Sequence, residues 1–260
     1  MIGIFDSGVG GMTVARAVET LLPDLQIIYF GDLARTPYGS KSRDAIIGYS
    51  IENTEFLLHH GAQVIIVACN SASSVASEAL AQKFSVPIFE VISPAVERAV
   101  TTTVSGNIGI IGTRATIRSG IYERKIIKSA PDCRVFSRAC PLLVPLVEEG
   151  WVDTRETKMI LRKYLAPLKQ KQIDTLVLGC THYPLLHDLI QYRMGGNRVR
   201  LIDSSTEVAL TLQRYLQNNP EFCKTLQRGG ENRYFASDVT EAAFTIAEKI
   251  FGRPIDLHKV

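Results

Sequence analysis

Short apolar runs alternate with segments of helical length through most of this 260-residue chain. The runs occupy residues 2–5, 26–30, 63–68, 87–91, 107–111, 175–178 and 199–202, and helices are predicted over 42–60, 71–84 and 154–168. Because the runs are almost entirely apolar rather than alternating, they indicate strands that helices cover on both faces of a parallel sheet. Strands and helices that alternate in this way predict an α/β protein built on doubly wound parallel sheets.

A weak internal repeat divides the chain. Segment 2–7 (IGIFDS) resembles 108–113 (IGIIGT), and 65–70 (IIVACN) resembles 176–181 (LVLGCT), in the same order and at nearly equal spacing. The repeat predicts two similar domains related by pseudo-twofold symmetry, with the active site at their interface. We assign residues 1–92 and 206–260 to the first domain, with Ser93-Pro94 as the boundary and a strand at 234–235 that returns to it. The second domain takes residues 93–205.

Cys69 and Cys180 end the second repeated strand of each domain. Doubly wound sheets bind ligands at the carboxyl ends of their strands. A helix that starts there presents free N–H groups, which favour anions and the thiolate form of a cysteine. We expect Asn70 or Ser71 to cap the helix after Cys69, and Thr181 to cap the one after Cys180. The cysteines without this setting, which we expect only to pack, are Cys133, Cys140 and Cys223.

Two thiols on facing domains suit chemistry on both faces of one carbon. One thiolate would remove a proton from one face, while the opposing thiol delivers a proton to the other. This interpretation predicts a racemase or epimerase that needs no cofactor. Two alternatives stay open. A redox pair is weakened because no two cysteines form a Cys-x-x-Cys unit. A metal site would use Cys180, His182 and His187.

Two turns that follow predicted strands fit the racemase interpretation. The turn 6–11 (DSGVGG) is not a Rossmann fingerprint, since Thr13 replaces the third glycine, and no Gly-Lys-Ser/Thr follows to make a P-loop. Its Asp6 and Ser7 can receive an ammonium group. The turn 36–40 (TPYGS) offers backbone N–H groups and hydroxyls that can hold a carboxylate without an arginine.

Charge and hydropathy exclude several partners. The 29 Lys and Arg residues against 26 Asp and Glu leave a net charge of +3, and no basic run indicates a nucleic-acid partner. The apolar runs are far shorter than the ~20 residues of a membrane helix. The first residues, MIGIFD, lack the features of a secretory signal. We therefore expect a cytoplasmic protein with reduced cysteines and no metal.

The sequence resembles bacterial glutamate racemases, within the aspartate/glutamate racemase family, over nearly its whole length. The resemblance lies in segments 6–11 (DSGVGG), 37–39 (PYG), 68–73 (ACNSAS) and 179–184 (GCTHYP). Ser71 is a departure, since the family usually has Thr there, but the hydroxyl is retained. The resemblance implies a homodimer that interconverts L- and D-glutamate without pyridoxal phosphate or metal and supplies D-glutamate for peptidoglycan.

The resemblance also implies roles for individual residues. Cys69 would deprotonate D-glutamate with help from Asp6, and Cys180 would deprotonate L-glutamate with help from His182. An acid of the pair Glu148-Glu149 would support His182, and we favour Glu148. Substrate contacts would come from Asp6, Ser7, Tyr38, Gly39, Asn70, Ser71, Thr181 and His182, with Thr116 as a further candidate. The alternatives are an aspartate racemase or another member of the family, or an inactive regulatory homologue.

Overall fold

The computed structural model describes residues 1–260, which form two sheets. All strands within each sheet pair in parallel, in the order β10-β9-β2-β1-β3-β4 in the first sheet and β6-β5-β7-β8 in the second. The strands are β1 (Ile2–Asp6), β2 (Ile27–Gly31), β3 (Val64–Val67), β4 (Ile88–Glu90), β5 (Asn107–Gly112), β6 (Arg134–Ala139), β7 (Thr175–Gly179), β8 (Arg200–Asp203), β9 (Arg233–Ala236) and β10 (Leu257–Lys259).

Helices connect successive strands and cover the sheets. They are α1 (Met12–Leu21), α2 (Arg43–His59), α3 (Asn70–Lys83), α4 (Ile92–Thr102), α5 (Arg114–Ser119), α6 (Ile121–Ser129), α7 (Leu143–Glu148), α8 (Arg155–Gln170), α9 (His187–Arg193), α10 (Ser204–Asn218), α11 (Pro220–Thr225) and α12 (Glu241–Phe251). The longest of them begin where the sequence predicts, because Ser42 caps α2 and Thr154 caps α8 through their side-chain oxygens. None of the helices combines the length and the apolar character needed to cross a membrane.

The second sheet repeats the order of four neighbouring strands of the first, which run from β2 to the edge strand β4. The order β2-β1-β3-β4 corresponds to β6-β5-β7-β8. The strand register agrees as well, because Ile2 lies opposite Val64 in the first sheet and Ile108 lies opposite Thr175 in the second. The sequence repeat aligns Ile2 with Ile108 and, extended by one residue, Val64 with Thr175, so the two pairs are equivalent. The prediction of an α/β fold with two similar parallel-sheet domains is therefore confirmed.

Two helices join the sheets. The first sheet draws its strands from residues 2–90 and 233–259, and the second from 107–203, while α4 and α10 lie between these ranges and pack on one another. Ser93-Pro94 lies in the first turn of α4 rather than in an open linker, because a proline is tolerated there and Glu90 accepts the N–H groups of Ile92 and Ser93. The domain limits after residues 92 and 205 stay a prediction.

The largest apolar core crosses from one domain to the other. Its 38 buried residues include Ile2 and Met12 of the first domain together with Ile108 and Val177 of the second. Two smaller cores cover the remaining faces of the two sheets. The domains therefore share a large apolar contact, unlike the small and more polar interfaces at which domains move freely.

The sequence analysis does not predict β6 and β10. Strand β6 mixes polar and apolar residues at the edge of its sheet, and none of them is fully buried, so it contains no long apolar run. Strand β10 is three residues long and also lies at an edge. Apolar runs predict the edge strands β4 and β8 as well as the central strands, but β6 and β10 contain no such run.

Candidate active site

The two repeated cysteines line one small closed cavity between the sheets. Cys69 follows β3 and Cys180 follows β7, and each is 5% exposed. The cavity has a volume of about 20 Å³. It is lined by residues from both domains, namely Ser7, Pro37, Tyr38, Gly39, Cys69, Asn70, Ser71, Thr113, Val144, Cys180, Thr181 and His182. Of the predicted site residues, Asp6, Glu148 and Thr116 stand behind this lining rather than in it.

The environment of Cys69 favours the protonated thiol. Its Sγ lies 3.5 Å from the Ser7 hydroxyl, and the carboxylate of the buried Asp6 is nearby. Burial, with a contribution from Asp6, raises the pKa of Cys69 to about 12, although the hydrogen bond from Ser7 opposes this rise. Burial also raises the pKa of Asp6, while the charge of His182 and the N–H groups of the glycine-rich turn oppose that shift. The Cys69 thiol is thus protonated at neutral pH.

Cys180 lies beside a charged histidine. Nδ1 of His182 is 3.9 Å from Cys180 Sγ, and Nε2 is 3.1 Å from Glu148 Oε1. Burial alone would lower the pKa of His182, but the hydrogen bonds with Cys180 and Glu148 outweigh it and raise the pKa to about 10. At neutral pH the ring is therefore an imidazolium. Glu148, not Glu149, is the carboxylate that hydrogen-bonds His182.

The glycine-rich turn after β1 packs directly on the second cysteine motif. A Cβ atom at Gly10 would lie 2.4 Å from His182 Nδ1 and 2.7 Å from Thr181 Oγ1, and one at Gly11 would lie 2.3 Å from Asp6 Cβ. Any side chain here would displace groups that line the cavity. The turn needs glycine so that its backbone can approach the facing domain, rather than to bind a nucleotide phosphate.

The predicted helix caps are wrong. Cys69 itself is the N-cap residue of α3, and no side chain hydrogen-bonds to the exposed N–H groups. Ser71 instead bonds Thr113, at 2.9 Å between the hydroxyl oxygens. Thr181 caps no helix, because Cys180 is followed by a short 3₁₀ turn over Tyr183–Leu186, and its hydroxyl donates to Asp6 Oδ1 at 3.4 Å. Ser71 and Thr181 therefore bond side chains of the facing domain instead of backbone N–H groups close to them in the chain.

Thr113 lines the cavity although the sequence analysis singled out Thr116. The Thr113 hydroxyl lies 2.9 Å from Ser71 Oγ and also accepts the N–H of Thr116 at the start of α5. Thr116 lies one turn further along this helix, behind Thr113. The internal repeat contains the signal that would have found Thr113, because it occupies the position that Ser7 holds in the first domain.

A buried polar network fixes the turn that carries Tyr38 and Gly39. The Tyr38 hydroxyl donates to Asp32 and accepts from Asn53 Nδ2 at 3.0 Å. Asp32, which the sequence analysis does not identify, also accepts from Arg35 Nε at 2.6 Å. Burial and Asp32 both raise the pKa of Tyr38, so the phenol stays neutral. The network holds the aromatic ring at the cavity wall and commits its hydroxyl to the protein.

The remaining histidine and cysteine residues considered in the sequence lie away from the cavity. His187 is half exposed and its ring contacts Asp188, so Cys180, His182 and His187 do not converge on a metal site. Cys140 is buried in the core of the second domain, and Cys133 and Cys223 are partly buried against the shared core. All five cysteines are free thiols.

Comparison with known proteins assigns the family. The model of the family described as Asp/Glu/Hydantoin racemase matches residues 12–212. The glutamate racemase of Geobacter metallireducens is 44% identical over 260 residues, which cover 100% of this chain and 96% of the relative. Among solved structures, glutamate racemase isoform RacE1 from Bacillus anthracis superposes with a TM-score of 0.92 at 36% identity, covering 100% of this chain and 97% of that one.

A structure solved with a ligand is also similar. The glutamate racemase from Francisella tularensis in complex with D-glutamate superposes with a TM-score of 0.90 at 32% identity, covering 100% of this chain and 96% of that chain. These matches confirm the resemblance noted in the sequence and the prediction of an isomerase. The chain belongs to the aspartate/glutamate racemase family.

Proposed function

We propose that this enzyme interconverts L- and D-glutamate by proton transfer between two cysteines and the substrate α-carbon. The observation that carries the proposal is the pair Cys69 and Cys180, which come from equivalent strand ends of two domains and line one cavity. The relatives described above are glutamate racemases. Two sulfurs on facing walls can reach opposite faces of one carbon, which is the geometry that inversion requires.

In the proposed conversion of L- to D-glutamate, Cys180 acts as the base and Cys69 as the acid. The Cys180 thiolate, paired with the His182 imidazolium, removes the α-proton and forms an S–H bond. The bonding pair remains on the α-carbon as a carbanion, delocalised into the adjacent carboxylate. The Cys69 thiol then gives its proton to the opposite face, leaving a thiolate at Cys69. In the reverse direction, Cys69 is the base and Cys180 the acid.

Each cysteine has its own partner for the change of protonation state. Asp6 carries a raised pKa next to Cys69 and can take the proton that this thiol must lose before it attacks D-glutamate. His182 performs the same task for Cys180, and Glu148 holds the ring from the other side. Both protons therefore stay on protein groups and the substrate throughout the reaction.

Hydrogen-bonding groups around the sulfurs would bind the charged ends of glutamate. Asp6 and Ser7 suit the ammonium group, and the amide and hydroxyls of Asn70, Ser71 and Thr181 suit carboxylates. Backbone N–H groups at Tyr38 and Gly39 would bind the distal carboxylate. Such fixed donors supply the orientation and charge stabilisation that an acid–base pair worth ~10²–10⁴-fold does not provide alone.

The cavity must enlarge to admit the substrate. Its volume of about 20 Å³ is far below the ~300–1,000 Å³ typical of small-molecule sites. Because the domains share a large apolar core, we expect the turns and side chains that line the cavity to move as the substrate enters, and their return to exclude water around the carbanion.

Optical rotation tests the proposal. Pure protein mixed with either enantiomer of glutamate should drive the rotation to zero, and Cys69→Ala and Cys180→Ala should each abolish the change. Cys140→Ala is a matched control, since Cys140 is also a buried thiol but does not line the cavity, and it should keep activity. Racemisation by either cavity variant at the rate of the control would contradict the mechanism. Turnover of aspartate alone would support the aspartate racemase alternative, and turnover of neither substrate would support a regulatory homologue.

We also propose, from the family resemblance, that the enzyme works in the cytoplasm as a homodimer and supplies D-glutamate for peptidoglycan. Depletion of the protein in its host should then stop growth unless D-glutamate is added. Growth that continues without the protein and without added D-glutamate would contradict this role. Light scattering of the purified protein measures its mass, and a monomer at all concentrations would contradict the dimer.

A further inference from the structure

Tyr122 connects the two cysteine motifs without lining the cavity. It belongs to α6 of the second domain and is 2% exposed. Its hydroxyl donates to Oδ1 of Asn70, the residue after Cys69, at 2.7 Å. Its ring packs at Gly179, the residue before Cys180, where an added Cβ would lie 3.3 Å from Tyr122 Cε2. One side chain therefore contacts the neighbours of both sulfurs.

The Asn70 amide has a single orientation in this network. Its Nδ2 donates to Ser204 Oγ at 3.2 Å, and Ser204 donates to the carbonyl of Leu178 at 3.4 Å. Because a carbonyl only accepts, the Ser204 proton points toward Leu178, and Ser204 must accept from Asn70. Tyr122 then supplies the proton that Oδ1 accepts. A flipped amide would need the Ser204 proton to turn from the Leu178 carbonyl to the amide oxygen, so that carbonyl would lose its bond from Ser204.

We propose that Tyr122 is a positioning residue that aims the Asn70 amide at the substrate across the domain interface. With one N–H bonded to Ser204 and the oxygen bonded to Tyr122, the remaining N–H of Asn70 is free for a substrate carboxylate. This inference rests on the proposed function, since it requires glutamate in the cavity. The side-chain torsion of an asparagine amide is otherwise broad, so its aim depends on these two partners.

The predicted kinetic effect is on KM. The free N–H of Asn70 would contact the substrate in both the ground state and the transition state, so losing its aim weakens both to the same extent. Tyr122→Phe, which removes only the hydroxyl, should raise KM about tenfold for both enantiomers and leave kcat nearly unchanged; this factor equals roughly 1.4 kcal/mol. Ser204→Ala removes the other partner and should act in the same direction, which provides a second variant if Tyr122→Phe folds poorly.

A double-mutant cycle with Asn70→Ala separates positioning from a general structural effect. In the Asn70→Ala background, Tyr122→Phe should leave KM unchanged, because the amide it aims is gone. Ser50→Ala is the control, since this buried hydroxyl bonds the Ile46 carbonyl within α2, away from the site. It should lower the melting temperature without changing KM.

Two results would overturn the inference while leaving the proposed function intact. One is an unchanged KM in Tyr122→Phe and Ser204→Ala, with wild-type protein racemising glutamate. The other is an equal rise in KM with and without Asn70. A wild-type protein that fails to racemise glutamate would reject the proposed function and this inference together.

Discussion

At the scale of single residues, the two domains have kept the same thiol and given it different partners. Aligned by the repeat, Asp6 corresponds to Gly112, and His182 corresponds to Ser71. The first domain therefore places a carboxylate beside Cys69, and the second places an imidazole beside Cys180. In the mechanism we propose, the two enantiomers approach different sulfurs, so each domain needs its own acid–base partner.

Replacing these partners should affect the two directions differently. L- and D-glutamate have equal free energies, so kcat/KM must fall equally in both directions in any variant. The difference appears in the isotope effect of α-deuterated substrate. His182→Asn should lower kcat/KM about 10²-fold and enlarge the isotope effect for L-glutamate, because removal of that proton becomes the slowest step. Asp6→Asn should enlarge the effect for D-glutamate. Equal isotope effects for both enantiomers in both variants would contradict the assignment.

The charge on His182 should make stability depend on pH. Its pKa is about 10 in the folded protein and 6.5 ordinarily, so its contribution is complete below pH 6.5 and is lost as the pH rises toward 10. Glu148→Gln removes one cause of the raised pKa, so the free energy of unfolding of the variant should fall less between pH 6.5 and 10. Urea unfolding at a series of pH values measures this free energy. Parallel profiles for wild type and variant would show that Glu148 does not stabilise the imidazolium.

At the scale of elements, two glycines differ in what surrounds them. Gly10→Ala would place a Cβ atom 2.4 Å from His182 Nδ1, so it should abolish most activity by displacing the ring. Gly48 lies inside α2 with no heavy atom within 4 Å of an added Cβ. Gly48→Ala should keep full activity and raise the free energy of unfolding by about 0.5–1 kcal/mol, since alanine favours the helix. An active Gly10→Ala enzyme would mean that the turn does not hold His182.

Strands that contain an apolar run are visible in the sequence, and strands without one are not. The central strands β1, β3, β5 and β7 are predicted because burial on both faces leaves polar residues only at their ends. Strand β6 is not predicted, because Arg134, Ser137 and Arg138 interrupt its apolar residues. The caps fail for a related reason, because the Asn70 and Thr181 side chains bond partners on the other domain, and local pattern contains no information about distant partners.

Site residues whose partners are distant in the chain are also hard to predict from the sequence. Motifs next to the strands reveal Cys69, Cys180 and His182, because chain position alone places them at strand ends. Asp32 escapes because its role comes from Tyr38, Arg35 and Asn53, which meet only in the folded chain. Tyr122 escapes for the same reason, since 52 residues separate it from Asn70.

At the scale of the whole molecule, the shared core couples the domains. Because both domains contribute to the core of 38 residues, unfolding of one domain would expose buried apolar residues of the other. We expect a single unfolding transition. Trp151, the only tryptophan, reports on the second domain by fluorescence, and far-ultraviolet circular dichroism reports on all helices. The two signals should coincide in urea, whereas separate midpoints would show that the domains unfold independently.

In the mechanism we propose, two sulfurs act on opposite faces of one carbon. Each glutamate enantiomer can be followed in D2O, with circular dichroism for inversion and NMR for deuterium at the α-carbon. Early in the reaction, we expect deuterium in the product enantiomer and almost none in recovered substrate, because the incoming proton comes from the second thiol. Equal early labelling of substrate and product would indicate a single base and would contradict the two-cysteine mechanism.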